Sequence, residues 1–242
     1  MVAGLNRGLR WKEFVYFERL EIQRRICSQE MKIIVGLSLA VCLIASLPTF
    51  PSLAMGRPQN EVGHSEVVEE IKNFRKERDA FFKSHERSPL RFADKLKFSN
   101  LRYYPVDVHY RFVGKIDRYV LDTRDPQYYA TFMTNKGTKK RYVRYGQFRF
   151  TLNGKQYVLQ LYKSILSDAL FIPFRDKTNG KETYSGGRYL DAEMVVPEYE
   201  ATIDFNMAYN PSCAYNEKFI CALPPEENAL DIEMHAGEKK FP

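Results

Sequence analysis

The sequence predicts a mainly β domain, an antiparallel sandwich or partly open barrel, preceded by one amphipathic helix. Three observations carry this expectation. Two Asn-Gly pairs, Asn153-Gly154 and Asn179-Gly180, each lie between runs of strand-forming residues. Short apolar and aromatic segments, separated by turn residues, recur from Tyr110 to Ala236. One segment, EVVEEIKNFRKERDAFFKS from Glu66 to Ser84, has apolar residues at helical spacing (Val67, Ile71, Phe74, Phe81) and charge elsewhere.

The amino-terminal part reads as a targeting segment. Met31-Lys32 is followed by an uncharged apolar run, Ile33 to Leu47, then Pro48, Pro51 and Ser52-Leu53-Ala54. A positive start, an apolar core and small residues at −3 and −1 make a secretory signal peptide with cleavage after Ala54. The run is shorter than the roughly 20 residues a spanning helix needs. The alternative is an uncleaved signal anchor, with residues 33–47 as the one membrane contact. A lipoprotein is rejected, because Val41 is too large for the position before Cys42 and the apolar run continues beyond it. Residues 1–30 form an upstream extension, either a long positive n-region or the product of a start set too early. Residues 55–65 read as a flexible leader and residues 66–242 as a single β-rich domain, exported to the periplasm or outside the cell.

Within that domain, Ser88-Pro89 ends the helix. Residues 92–104 connect it to the strands, with Phe98, Leu101 and the Tyr103-Tyr104-Pro105 corner packing down. Asn153-Gly154 predicts a hairpin that pairs Phe150 with Tyr157 and Phe148 with Leu159 on an apolar face. Thr151 with Gln156 and Arg149 with Val158 take the other face. Asn179-Gly180 predicts a second hairpin, Lys177 opposite Glu182 and Arg175 opposite Tyr184, with a bulge at Gly186-Gly187. Further strands are expected at 110–116, 119–122, 130–134, 200–206 and 230–236.

Charge narrows the partners. The chain carries a formal +7, from 37 Lys and Arg against 30 Asp and Glu. Residues 1–54 hold seven of the bases and four of the acids, which leaves 30 against 26 beyond them. That small excess, dispersed among both signs, gives no nucleic-acid stripe. Outside the targeting segment only Cys213 and Cys221 remain, an even pair that export would join as a disulfide worth about 2–3 kcal/mol. A two-thiolate metal site is the weaker reading, because zinc sites use closer cysteine pairs and two further ligands.

The candidate site is a polar cluster in two segments, Phe171 to Asp191 and Asp204 to Leu230. Its members are Arg175, Asp176, Glu182, Tyr184, Arg188, Tyr189, Asp204, Asn206, Tyr209 and Asn210. Most are poor strand formers, so something other than strand propensity placed them there. On a strand, Asp204 and Asn206 share a face, and an Arg-bearing hairpin laid over them would bring Arg175 or Arg188 alongside. Guanidinium forks suit carboxylates and phosphates. The cluster is therefore either a pocket for a small anionic or polar ligand, walled by Tyr, or an internal Arg–Asp brace. Tyr209-Asn210-Pro211 and Pro224-Pro225 read as rigid turns, and Glu226-Glu227-Asn228 and Ala236-Gly237-Glu238 either add carboxylates to a site or, more often for such residues, cap loops or face water. His64, His85, His109 and His235 are scattered singly. No serine-hydrolase elbow, phosphate loop or H-E-x-x-H helix occurs, and neither cofactor nor metal is expected.

The stretches RDKTNGKETYSGGRYLD (175–191), DFNMAYNPSCAYN (204–216) and CALPPEENALDIEMHAGEK (221–239) resemble the carboxy-terminal signature of the bacterial domain-of-unknown-function family 1684. SPLRF (88–92) and NLRYYPVD (100–107) resemble its amino-terminal portion. The resemblance covers about residues 66–241. It implies one compact domain, and it places the candidate residues, with Thr178, Gly180, Thr183, Gly187, Pro211, Cys213 and Cys221, in the family motif. It implies no activity. The leading expectation is a non-catalytic envelope module that binds a small anionic or polar ligand. One alternative is a hydrolase with Asp204 or Glu182 as general base and Arg188 as anion holder. The other is a structural or partner-binding protein whose signature is a brace.

Overall fold

The computed structural model describes residues 59–164, 169–192, 194–195 and 199–242. The expected upstream extension and signal segment, residues 1–54, lie outside the described residues. No described helix is long and apolar enough to cross a membrane.

Helix α1 runs over Gln59–Ser84, so residues 59–65 are helical rather than a flexible leader. Nothing between Pro58 and Ser84 breaks a helix except Gly63, whose cost of about 1 kcal/mol an established helix absorbs. Its inward stripe is Ile71, Phe74, Arg78 and Phe82, one turn apart along a single face. The connector holds a short helix α2 (Phe92–Lys97). Phe98, Leu101 and Tyr104 pack down as expected, all buried.

Eight antiparallel strands follow: β1 (Arg111–Arg118), β2 (Tyr129–Met133), β3 (Lys139–Leu152), β4 (Lys155–Lys163), β5 (Leu170–Phe174), β6 (Arg188–Ala192), β7 (Met194–Val195) and β8 (Glu200–Asp204). The order is β6-β5-β4-β3-β1-β8-β7, with β2 beside the first half of β3, and the sheet curls into a half-barrel. β1 makes the corner. Its first half pairs with β8 and its last three residues pair with β3.

The first Asn-Gly hairpin forms as the sequence predicts. Phe150 faces Tyr157, Phe148 faces Leu159, Thr151 faces Gln156 and Arg149 faces Val158. The second does not. β5 ends at Phe174, β6 begins at Arg188 opposite it, and residues 175–187 form a wrapped loop. Its own side chains take the backbone. Asp176 Oδ1 accepts the Thr178 N–H at 2.8 Å, and Asn179 Oδ1 accepts the Asp176 N–H at 2.8 Å. The Thr178 carbonyl then accepts the N–H groups of Lys181, Glu182 and Thr183. Asx and threonine bonds of this kind compete directly with a strand ladder. In place of the expected bulge, Gly187 has φ 87°, and a Cβ there would lie 2.7 Å from the Phe174 carbonyl oxygen.

Three other expectations are corrected. Residues 119–122 form no strand, since only Tyr119 extends the ladder, through its N–H to the Tyr145 carbonyl. The strand at 200 stops at Asp204, whose carboxylate caps a single 3₁₀ turn, Phe205–Met207. Residues 230–236 form no strand, and the chain bends at Asp231 and Ile232. They run beside 175–177 through the Leu230 N–H to the Arg175 carbonyl and the Lys177 N–H to the Ile232 carbonyl.

Alternating residues feed two apolar layers, one on each side of the sheet. Phe148, Phe150, Leu159, Leu161, Ile172, Leu190, Ile203 and Phe205 fill the inner side of the curl. Phe132, Tyr162, Phe171, Tyr189, Tyr209 and Ala222 form the second layer, which the segment after Ala208 covers. Burial on both faces explains why every residue of β5 and β6 is buried.

Candidate functional site

The polar signature divides into three buried knots and a partly open margin. The first knot centres on Arg188, at the start of β6. Its side chain and that of Asp176 are wholly buried, 0% exposed in each case, and they pair at 2.8 Å. The same nitrogen donates to the Met234 carbonyl at 2.9 Å, and the other terminal nitrogen donates to Ala236 O at 2.5 Å and Glu238 O at 3.3 Å. Asp176 Oδ1 accepts from the Thr178 hydroxyl at 2.5 Å and the Met234 N–H at 3.3 Å. A buried charge survives when it is paired and most of its remaining donors or acceptors are filled. Both oxygens of Asp176 and both terminal nitrogens of Arg188 are engaged, and only the Arg188 Nε is left without a hydrogen-bond partner. The Arg188–Asp176 pair ties β6, the wrapped loop and the C-terminal segment together.

The second knot was not anticipated. Arg78 of α1 and Glu238 pair at 3.0 Å with 1% exposure each. Glu238 also accepts the Tyr215 hydroxyl, the Asn210 N–H at 3.1 Å and the Asn210 side-chain amide at 3.1 Å. It therefore neither caps a loop nor faces water. Burial pushes its carboxyl above the usual range, and Arg78 and Tyr215 offset part of that rise. Arg78 stacks on Tyr209 at 4.9 Å and Phe82 at 5.2 Å. Tyr209 in turn donates its hydroxyl to Asp191 at 2.6 Å, and Tyr189 donates to the Ala222 carbonyl at 2.5 Å.

The third knot holds Asp204 and Asn206 together, as expected, although Asn206 sits on the 3₁₀ turn and not on β8. Asp204 Oδ1 accepts the Asn206 N–H and side-chain amide, both at 2.9 Å. Its other oxygen accepts from Arg111 at 3.0 Å, and Arg111 also reaches Glu70 of α1 at 3.1 Å. Asn206 grips the Asp107 backbone on both sides, donating to its carbonyl at 2.7 Å and accepting its N–H at 3.0 Å. The arginine beside Asp204 is thus Arg111, not Arg175 or Arg188.

Three candidates lie at the margin. Arg175 is half-buried beside a recess of about 260 Å³ lined by Arg175, Asp176, Lys177, Ala229, Leu230 and Asp231. Its Nε is buried without a hydrogen-bond partner. Glu182 is about half exposed and pairs with Lys239 at 3.4 Å. Tyr184 is half-buried, with its hydroxyl 3.7 Å from Cys213 Sγ.

The expected disulfide is not formed. Cys213 and Cys221 are free thiols, and the Cys213 N–H donates to Cys221 Sγ at 3.2 Å. Each sulfur takes part in hydrogen bonds instead of a covalent link. Among the described residues no three His, Cys, Asp or Glu side chains gather in a way that could hold a metal ion.

Sequence reasoning missed Arg78 and the buried, inward roles of Glu238 and Asn228. The amide of Asn228 bonds the Gln160 N–H at 2.7 Å and the carbonyls of Gln160 and Pro173 at 2.9 and 2.8 Å, which fastens the C-terminal segment to β4 and β5. Arg78 had a signal, since it stands on the apolar stripe between Phe74 and Phe82, where a charge needs a partner. Nothing in the sequence identified Glu238 as that partner.

Fold and knots define a class: a half-barrel laced shut by its own C-terminal segment through buried ion pairs. The chain belongs to the family described as protein of unknown function DUF1684, whose model matches residues 96–239. It is also similar to the solution NMR structure of an uncharacterized protein of Haloarcula marismortui. The two share 31% identity over 74% of this chain and 97% of that one, with a TM-score of 0.58. That relative is archaeal, so the likeness carries no argument about a bacterial envelope. No curated protein matches the chain.

Proposed function

We propose that the chain is a non-catalytic module of the bacterial envelope, structural or partner-binding, and that its polar signature is an internal brace. One observation carries the reading: the Arg188–Asp176 pair has no exposed side-chain surface, so no ligand reaches it without unfolding the loop. The Arg78–Glu238 pair supports it in the same way. The hydrolase reading needs a carboxylate in an open cleft. Asp204 instead has both oxygens engaged inside the fold, and Glu182 stands on the surface beside Lys239. The envelope location rests on the signal-like segment at 31–54 alone. The test is thermal unfolding of the full chain against Arg188→Ala and Asp204→Ala without added ligand. A brace predicts a much lower melting temperature for both, since breaking a buried pair costs about 3–5 kcal/mol. Unchanged or higher melting temperatures would return the cluster to the status of a ligand site.

A second reading keeps a small anionic ligand, seated in the recess beside Arg175. What favours it is the unpartnered, buried Arg175 Nε at that recess. It predicts that sulfate, phosphate or citrate raises the melting temperature of the parent and not of Arg175→Ala. Equal responses in both proteins would remove it.

A further inference from the structure

The thiols of Cys213 and Cys221 are not used by the brace, and their surroundings treat them unequally. Cys213 is half-buried and keeps part of its surface open, whereas Cys221 is buried. Cys221 is also clamped. Its N–H donates to Asn135 Oδ1 at 2.9 Å, its carbonyl accepts the Asn135 N–H at 3.1 Å, and its sulfur accepts the Cys213 N–H at 3.2 Å. Cys213 sits on a short 3₁₀ turn, Ser212–Ala214, with the Tyr184 hydroxyl 3.7 Å from its sulfur. A donor at that position steadies a thiolate. A dissolved reagent meets Cys213 first, and any sulfur bound there lies beside the second thiol.

We propose that Cys213 and Cys221 form a reactive dithiol that reduces low-molecular-weight disulfides, with Cys213 as the attacking thiolate and Cys221 as the resolving thiol. This goes beyond the brace and does not depend on it. In the first step Cys213 Sγ, having lost its proton to solvent, attacks one sulfur of R–S–S–R. The S–S bond breaks, a protein–S–S–R bond forms, and RS⁻ leaves and takes up a proton. In the second step Cys221 gives up its proton and attacks Cys213 Sγ, expelling the second RS⁻, which is also protonated. Two protein thiols are oxidised to one disulfide, and one R–S–S–R is reduced to two RSH.

The electrostatics agree with these roles. The Cys213 thiol is lowered to about 7, chiefly by the hydrogen bond with Cys221 and then, against burial, by the Tyr184 hydroxyl, its own backbone N–H and Lys140. A thiol that ionises near the ambient pH combines thiolate population with nucleophilicity. Cys221 is raised, first by its hydrogen bond with Cys213 and then by burial, so it holds its proton until the mixed disulfide forms. Lys140 lies across the loop, its Nζ on the Ile220 carbonyl at 2.8 Å, and Tyr189 packs behind, its hydroxyl on Ala222 O.

The experiment uses the full chain with Cys27→Ser and Cys42→Ser, reduced, and 5,5′-dithiobis(2-nitrobenzoate) as the disulfide. The parent is expected to release two thionitrobenzoate anions per chain and to end with an intact mass lower by two hydrogens. Cys221→Ser is expected to release one and to retain the adduct, mapped by peptide mass to Cys213. Cys213→Ser is expected to react at least about tenfold more slowly at neutral pH, because only the buried thiol of Cys221 remains. Tyr184→Phe is expected to move the pH midpoint of Cys213 alkylation upward without lowering the melting temperature. The proposal is overturned if the adduct maps to Cys221. It is also overturned if the parent keeps a stable mixed disulfide, or if Cys213 reacts no faster than in the denatured chain. Circular dichroism of each variant separates lost reactivity from lost folding.

Discussion

The two Asn-Gly pairs have the same local chemistry and opposite outcomes. At the first, Asn153 and Gly154 both take positive φ, 52° and 74°, and the strands pair from Leu152 opposite Lys155 outward. At the second, only Gly180 does, at 81°, and regular pairing waits until Phe174 meets Arg188. Residues flanking the first pair offer nothing but a ladder and an apolar face. Those flanking the second include Asp176, Thr178 and Thr183, all buried and bonded to one another or to nearby backbone. An Asn-Gly turn therefore specifies a hairpin when the backbone has no better partner, and it yields when short polar side chains supply one. The second loop depends on a buried ion pair, whereas the first depends on backbone conformation alone.

That contrast can be broken most forcefully at Arg188. Arg188→Ala leaves Asp176 charged, buried and unpaired, and should cost about 3–5 kcal/mol in denaturant unfolding. A loss below about 1 kcal/mol, the size of an exposed pair, would show that the ion pair does not hold the loop. Gly187→Ala should come next, at about 2–3 kcal/mol. It combines positive φ with a Cβ 2.7 Å from both the Phe174 carbonyl oxygen and Pro224 Cγ. The same measurement on Gly154→Ala isolates the first turn. A Cβ there meets nothing within 4 Å, so only the conformational term of about 1 kcal/mol remains. If Gly154→Ala matches or exceeds Gly187→Ala, the two loops do not differ in the way the packing implies.

The smallest effect is a pH dependence from the second knot. The folded carboxyl of Glu238 lies above its ordinary value because of burial, so the folded state holds a proton there that the unfolded chain releases. Its contribution to stability is thus full below the ordinary carboxylate range and declines as pH rises toward the folded value. Urea unfolding of the parent and Glu238→Gln from about pH 4 to 7 should show the parent's advantage shrinking as pH rises. An advantage that grows over that window would mean that Arg78 outweighs the desolvation.

Much of the scaffold was legible. Alternating residues around Asn153-Gly154 named the register of β3 and β4, and the spacing of Ile71 and Phe74 named the inward face of α1. At the candidate site, residue type marked Arg188, Asp176, Asp204, Asn206, Tyr209 and Asn210 as unusual, and all six are buried. Their pairing was not legible. Arg188 meets Asp176 within one loop, but Asp204 meets Arg111 from β1, and Glu238 meets Arg78, 160 positions earlier. The Cys pair was visible as a pair, while its free thiols and unequal exposure were not.

By itself the sequence determined what depends on neighbours a few positions apart: the helix, the first hairpin, the β class, and the presence of polar residues that strand propensity does not explain. Tertiary structure decided which charges neutralise one another, which carboxylates leave water, and whether an Asn-Gly turn opens into a ladder or folds onto Asp176. The physical reason is range. Periodicity and turn chemistry act along a few residues of chain, whereas the pairing of a buried charge is set by whatever the closed fold brings within about 3 Å of it.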